Sequence, residues 1–167
     1  MRPTRFQPIS KGMGMRICDQ QRPEYFEFAS AALKEQFVYG PSTKCLANLS
    51  DDGRILAVVI YDRTSDHDCM MHVASDLSKR WLSREFLFWV FSIPFVQWGM
   101  RRITTLVRAD ADAVLKFDDG IGWHREGRLR CAFDDGTDAI LLGMLKEECR
   151  FLDEVKYGKQ GRHKSAE

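Results

Sequence analysis

CMMHVAS (residues 69–75), DLSKRWLS (76–83) and REFLFWVF (84–91) follow one another without a break, and their reading decides the fold. The first is an apolar run of strand length. The second is a polar loop with several basic residues, and the third is a helix, starting near Ser83, too apolar to face water on any side. A loop that feeds a helix's first turn carries backbone N–H groups without helical acceptors, and these with the helix dipole favour an anion. Arg80, with Lys79 and Arg84 beside it, adds positive charge there. The turn reads as a cradle for the pyrophosphate of a nucleotide-like cofactor. Taken alone, the same pattern also describes an ordinary strand-to-helix connection with solvated charges.

Working outward, ILAVVIY (55–61) is a β-branched run suited to a central strand. It is joined to a strand at Cys45 to Leu49 through the turn Asp51-Asp52-Gly53 and to the Cys69 strand through a polar turn at 64–68, which makes an antiparallel meander. Upstream, Pro23 suits a first helical turn, and Tyr25, Phe26, Ala29 and Leu33 recur at helical spacing, with the helix ending before Gly40. A short strand precedes it at Met15 to Cys18. Downstream of a helix expected to run from Ser83 to Trp98, RRITTLVR (101–108) is a strand. Because it follows a helix, a right-handed crossover lays it parallel to the Cys69 strand. A short helix from Ala111 to Asp118 ends at Gly120, and Trp123 to Phe133 pairs with Ala139 to Leu145 around Asp134-Asp135-Gly136. The order is β-α-β-β-β-α-β-α-β-β.

With 167 residues, the chain has room for one domain with a real core. Residues 1–14 read as a flexible arm, 15–155 as the domain and 156–167 as a flexible tail. The hydrophobic share is 44%, the charged share 29% and the formal charge +1. That balance gives no argument for nucleic acid or an anionic membrane as partner. The most apolar stretch, Phe86 to Val96, is too short to span a bilayer and is interrupted by Ser92 and Pro94. Five scattered cysteines without a CxxC pair point to reduced thiols in a cytoplasm rather than a disulfide scaffold or structural zinc.

This order, with three local features, resembles the GCN5-related N-acetyltransferase (GNAT) superfamily over about Met15 to Phe151. The family carries Q/R-x-x-G-x-G/A on the strand–loop–helix, where this chain has Arg80-Trp81-Leu82-Ser83-Arg84-Glu85. The strand LVR and the helix after it end in Ile121-Gly122-Trp123, like the family's leucine-glycine-aromatic ending. WHREGRLR (123–130) resembles the strand G-F-x-x-E-G, with Glu126-Gly127 in register. MMHVAS and the ending GMLKEECRFL (143–152) further resemble small GNAT-like proteins of T7-type tailed phages. The resemblance implies an α/β (α+β) fold: a mixed, mostly antiparallel sheet of about six or seven strands, helices on both faces, and splayed fourth and fifth strands.

It also implies acetyl-CoA as co-substrate and an amine acceptor, on a protein or a small molecule. The edge of the fourth strand, Met71 to Ala74, would receive the pantetheine arm, with a backbone N–H near Val73 facing the thioester carbonyl. Val73, Ala74, Arg80, Trp81, Leu82, Ser83 and Arg84 are the expected cofactor contacts. His72 is the expected base, since its ordinary pKa lies near neutrality; a histidine merely satisfied inside the fold is the alternative. Asp66, His67 and Asp68 rank behind it. Cys69, His67 and His72 do not converge as metal ligands, because strand alternation separates 72 from 67 and 69. Four departures bear on catalysis: Ser83 and Glu85 replace the loop glycines, Ala111 stands where asparagine is usual, and Phe117 replaces the tyrosine that often protonates the leaving thiolate. The implied alternatives are a catalytically degenerate phage structural or assembly protein and a CoA-binding regulator. The final strand's edge is the expected seat of any homodimer.

Overall fold

The computed structural model describes residues 9–12 and 15–152, with side chains from Arg16 onward. The elements are β1 (Ile9–Gly12), β2 (Met15–Cys18), α1 (Pro23–Leu33), β3 (Lys44–Ser50), β4 (Ile55–Asp62), β5 (Met70–Ser75), α2 (Arg84–Ser92), β6 (Arg102–Arg108), α3 (Asp112–Ile121), β7 (His124–Leu129) and β8 (Ala139–Leu145). They form one sheet in the order β1-β2-β3-β4-β5-β6-β8-β7. Every neighbouring pair is antiparallel except β5 and β6, which are parallel. The mixed, mostly antiparallel sheet of the expectation therefore holds, with eight strands rather than six or seven. The additional strand is β1, which pairs with β2 inside the stretch expected to be a loose arm. The remainder of that arm and the tail from 156 lie outside the described residues.

Helices cover both faces. β4 is buried along nearly its whole length because alternate residues feed two cores. Val58 and Ile60 join Cys45, Ala47 and Ala74 under Tyr25, Phe26 and Ala29 of α1. Ala57, Val59 and Tyr61 join Leu46, Met71 and Ile103 under Phe86, Val90 and Phe91 of α2. Burying each such large side chain contributes roughly 1.5–3 kcal/mol, so this three-layer packing is what fixes the meander's register.

The second helix is shorter than its apolar pattern predicts. It ends at Ser92 and widens into a π turn over Ile93–Gln97, where Trp98 N donates to Ile93 O at 3.0 Å. Pro94 is the cause, since it has no N–H for the Val90 carbonyl and its ring crowds that turn. The Tyr61 hydroxyl supplies the missing donor, reaching Val90 O at 2.8 Å from a fully buried position. α3 in turn runs past Gly120 to Ile121. Gly122, at φ 109°, closes it by donating to the carbonyls of Asp118 and Asp119, a conformation that suits glycine. The strand expected over 123–133 is regular only as far as Leu129.

β5 and β6 are joined at one end only. Their ladder consists of Met70 opposite Thr104, flanked by Thr104 N donating to Cys69 O at 2.9 Å and Arg102 N to His67 O at 3.1 Å. Beyond that point they separate, while β6 stays paired with β8 from Arg102 to Arg108. Side chains lock the joined end. Thr104 Oγ1 donates to Asp68 Oδ2 at 2.9 Å, and Arg102 Nε donates to Thr104 Oγ1 at 3.0 Å. Arg102 also reaches across β8 to Glu126, with Nη1 to Oε1 at 2.9 Å. Glu126 is the bulged residue of β7, between Arg125 and Gly127 in the register. The pair crosses Gly143, where an added Cβ would lie 2.6 Å from Arg102 Nη2. The Glu126-Gly127 signal is thus architectural.

The final strand is not an edge. β8 lies between β6 and β7, so the outer strand on that side is β7, exposed throughout. Its arginines are spent within the fold: Arg125 pairs with Asp119 at 2.7 Å and Arg128 with Asp138 at 2.6 Å. Charges of this kind blunt an edge against further pairing.

Candidate functional site

The gap between β5 and β6 is the feature around which the expected site residues gather. Cys69 O accepts from β6, so residues 69, 71 and 73 turn their backbone polar groups toward that side, and even-numbered residues bond to β4. The N–H and C=O of Val73 therefore open into the gap, where no described strand meets them. Main-chain groups in such a place need water or a ligand. The Val73 side chain is 37% exposed on the α2 side, whereas Ala74 is buried under α1. Ala74, expected to contact the cofactor, instead turns its main chain to Val58 of β4 and its methyl into the α1-side core, so neither opens into the gap.

The loop after β5 is shaped by short polar side chains. Leu77 takes a left-handed conformation (φ 64°). Asp76 Oδ1 accepts from Ser78 N at 2.9 Å and from Ser78 Oγ at 2.6 Å. Ser78 Oγ caps a single 3₁₀ turn over Lys79–Trp81, and Ser83 caps α2, its Oγ accepting from Phe86 N at 3.0 Å. The serine in the expected glycine position thus binds one of the helix's own free donors and leaves the amides ahead of Phe86 at the N-terminus. Arg80, Leu82 and Arg84 are exposed. Neither Lys79, Arg80 nor Arg84 forms an ion pair with a described residue. Glu85, in the first helical turn, is half-buried and engaged within the fold. The Trp81 ring meets Phe86 edge-on at 6.2 Å and Phe117 at 6.4 Å. Trp81 thus joins the loop to α2 and α3, while Val73 of β5 and Leu82 of the loop are exposed apolar side chains.

His72 lies on the other side of the sheet. Its Nε2 is 2.9 Å from Asp62 Oδ1, both side chains are largely buried, and the Phe37 ring packs on the imidazole at 4.9 Å. An ionised carboxylate only accepts, so Nε2 is the donor in this contact, and in the neutral imidazole the lone pair then lies on Nδ1. The structure thus makes His72 an oriented imidazole. Sequence reading missed both Asp62, ten residues away on β4, and Phe37, in the segment after α1. The only available signal for Asp62 was a carboxylate at the end of an apolar strand.

The second-rank candidates disperse. Asp66 and His67 are exposed, and Asp68 is bound to Thr104 and Arg102. Cys69 packs in the α2-side core, away from His72. Burial, with Asp68 and Asp62 nearby, pushes its thiol up to about 12, so it is no nucleophile at neutral pH. A pocket of about 420 Å³ opens at the joined end of β5 and β6, between His67, Asp68, Arg101, Arg102 and Lys146. It lies at the opposite end of β5 from the basic loop, and two of its charges, Arg102 and Asp68, are paired with each other at 3.5 Å.

The fold is that of known N-acetyltransferases. The spermidine N-acetyltransferase of Vibrio cholerae in complex with CoA and spermine superposes with a TM-score of 0.68 at 9% identity, covering 85% of this chain and 100% of that one. The dodecameric form of the same enzyme in an intermediate state gives 0.70 at 9% identity, with 86% and 99% covered. A chimera of it with hSSAT gives 0.68 at 10% identity, with 84% and 99% covered. No family model and no curated protein sequence matches the chain, so the resemblance to phage proteins gains no support from sequence relatives.

Proposed function

We propose that the chain is an acetyl-CoA-dependent N-acetyltransferase acting on an amine of a small molecule or a protein. The observation that carries this reading is the opened edge of β5 beside a basic, glycine-free loop that leads into a helix N-terminus. Two structural neighbours are forms of a spermidine N-acetyltransferase, one of them in complex with CoA and spermine, which fits an amine acceptor here. Free cysteines fit a reducing cytoplasm as its location.

The residues divide the work by position. Arg80, Arg84, Lys79 and the amides opening α2 hold the diphosphate, as charge plus oriented N–H groups can. Trp81, Leu82, Val73 and Phe117 line the path of the pantetheine arm, whose amides bond to the open main chain of β5 at Val73. Acetyl-CoA supplies the activated acyl group. The Val73 N–H is aimed where charge develops on the thioester oxygen, a role worth several kcal/mol in acyl transfer. His72, held by Asp62 through Nε2, takes the ammonium proton at Nδ1 and frees the amine lone pair for attack. Transfer forms the C–N bond as the C–S bond breaks; the nitrogen then gives its second proton to water, and the thiolate takes one from water, since Phe117 has none to give.

The test is thermal unfolding with CoA and desulfo-CoA, followed by thiol release from acetyl-CoA in an amine screen that includes spermidine. Ligand at about a hundred times Kd stabilises by about 2.7 kcal/mol, a rise of roughly 5–10 °C. Arg80→Glu should abolish the shift. No shift at millimolar CoA defeats the proposal; a shift without turnover on any amine leaves a CoA-binding protein, the reading that Ser83, Ala111 and Phe117 favour.

A further inference from the structure

The loop proposed to hold the diphosphate contains no glycine; none occurs between Gly53 and Gly99. Something else must set its path, and the described contacts show what does. Asn48 is fully buried on β3, two strands from β5, and faces the α2 layer. Its Nδ2 donates to the Trp81 carbonyl at 2.8 Å. Trp81 is the last residue of the 3₁₀ turn, and α2 starts at Arg84. The main chain at the entry to α2 is thus pinned to the sheet, while the Trp81 ring is wedged between Phe86 and Phe117. A buried amide costs desolvation free energy that an apolar residue would not, and its neighbour on the same face, Leu46, is apolar.

We infer that Asn48 is a positioning residue for the diphosphate: by holding the Trp81 carbonyl, it fixes Arg80 and the N-terminal amides of α2 in the arrangement that receives the anion. This deepens the cofactor reading and rests on it. A role in stability alone would weaken binding of every part of the cofactor together. The positioning role weakens the diphosphate contribution and spares the pantetheine part, which is held by β5.

The experiment measures Kd by calorimetry for CoA and for pantetheine, which lacks the diphosphate and nucleoside, with wild type, Asn48→Leu and Asn48→Ser. Asn48→Leu keeps the branched outline and removes the donor; serine is smaller and keeps a hydroxyl donor. The expected result is a CoA affinity lower by about tenfold in Asn48→Leu, as loss of one oriented hydrogen bond implies, with pantetheine affinity unchanged and part of the loss restored in Asn48→Ser. Unchanged CoA affinity in Asn48→Leu overturns the inference, as does an equal loss for CoA and pantetheine. Because pantetheine binding reports a folded site, a variant that merely unfolds is seen as the second of these. A wild type that binds no CoA at all overturns the cofactor reading itself, and this inference with it.

Discussion

Three residues carry loads that their side chains explain individually. Tyr61 donates to the carbonyl that Pro94 leaves without its helical donor. Tyr61→Phe should therefore lower stability by about 1–3 kcal/mol, the cost of a buried acceptor left unsatisfied, read from denaturant unfolding. Gly143 lies beneath the Arg102–Glu126 pair. Gly143→Ala forces those side chains aside and should cost about 1–3 kcal/mol, while Gly136→Ala, at φ 82° with no atom near the added Cβ, should cost only the smaller backbone term. Asp118 on α3 is pushed up to about 7 by burial first and by Asp119 second. Its folded form therefore holds a proton that the unfolded chain releases near 3.8, and stability falls as pH rises between those values. Asp118→Asn should stabilise the protein at pH 8 by about 1–2 kcal/mol, with the difference shrinking on acidification and gone near pH 4. A flat difference across that range contradicts the account.

At the scale of elements, the central unit is β5 with its loop and α2, and its two faces do different things. The α1 side presents the Asp62–His72 pair, and the α2 side presents the apolar lining and the basic loop. His72→Ala should leave CoA affinity unchanged and lower turnover by about 10²-fold; Asp62→Asn should lower it less, because the imidazole remains but loses its orientation. Wild-type turnover in the histidine variant removes it from the mechanism. Much of this unit was legible in the chain. The apolar runs of β4 and β5 located both strands, and the basic loop followed from its composition. What was not legible has a common cause: it depends on partners distant in sequence. Asp62 and Asn48 acquire meaning only once antiparallel pairing sets β4 beside β5 and folding lays the loop after β5 over β3. The early end of α2 was written in Pro94, but the compensating hydroxyl came from Tyr61, which periodicity describes only as core. Likewise β8 completes the sheet between β6 and β7, an order that the linear succession of strands does not reveal.

Across the molecule, the sheet is two paired units, β1 to β5 and β6 to β8, joined through one ladder pair and the Asp68–Thr104–Arg102 cluster. That arrangement leaves main-chain groups of β5 open next to a positively charged helix start, which is the physical reason to expect a long, flexible thioester with a diphosphate. The account's central claim is that this gap is where the cofactor lies. Amide hydrogen exchange with and without CoA tests it most directly, because bound main chain exchanges more slowly than open main chain. The expected result is slowed exchange over 71–75 and 78–85 and no change over His124–Leu129 of β7. Protection confined to the pocket around Arg101 and Lys146, or none at saturating CoA, contradicts it.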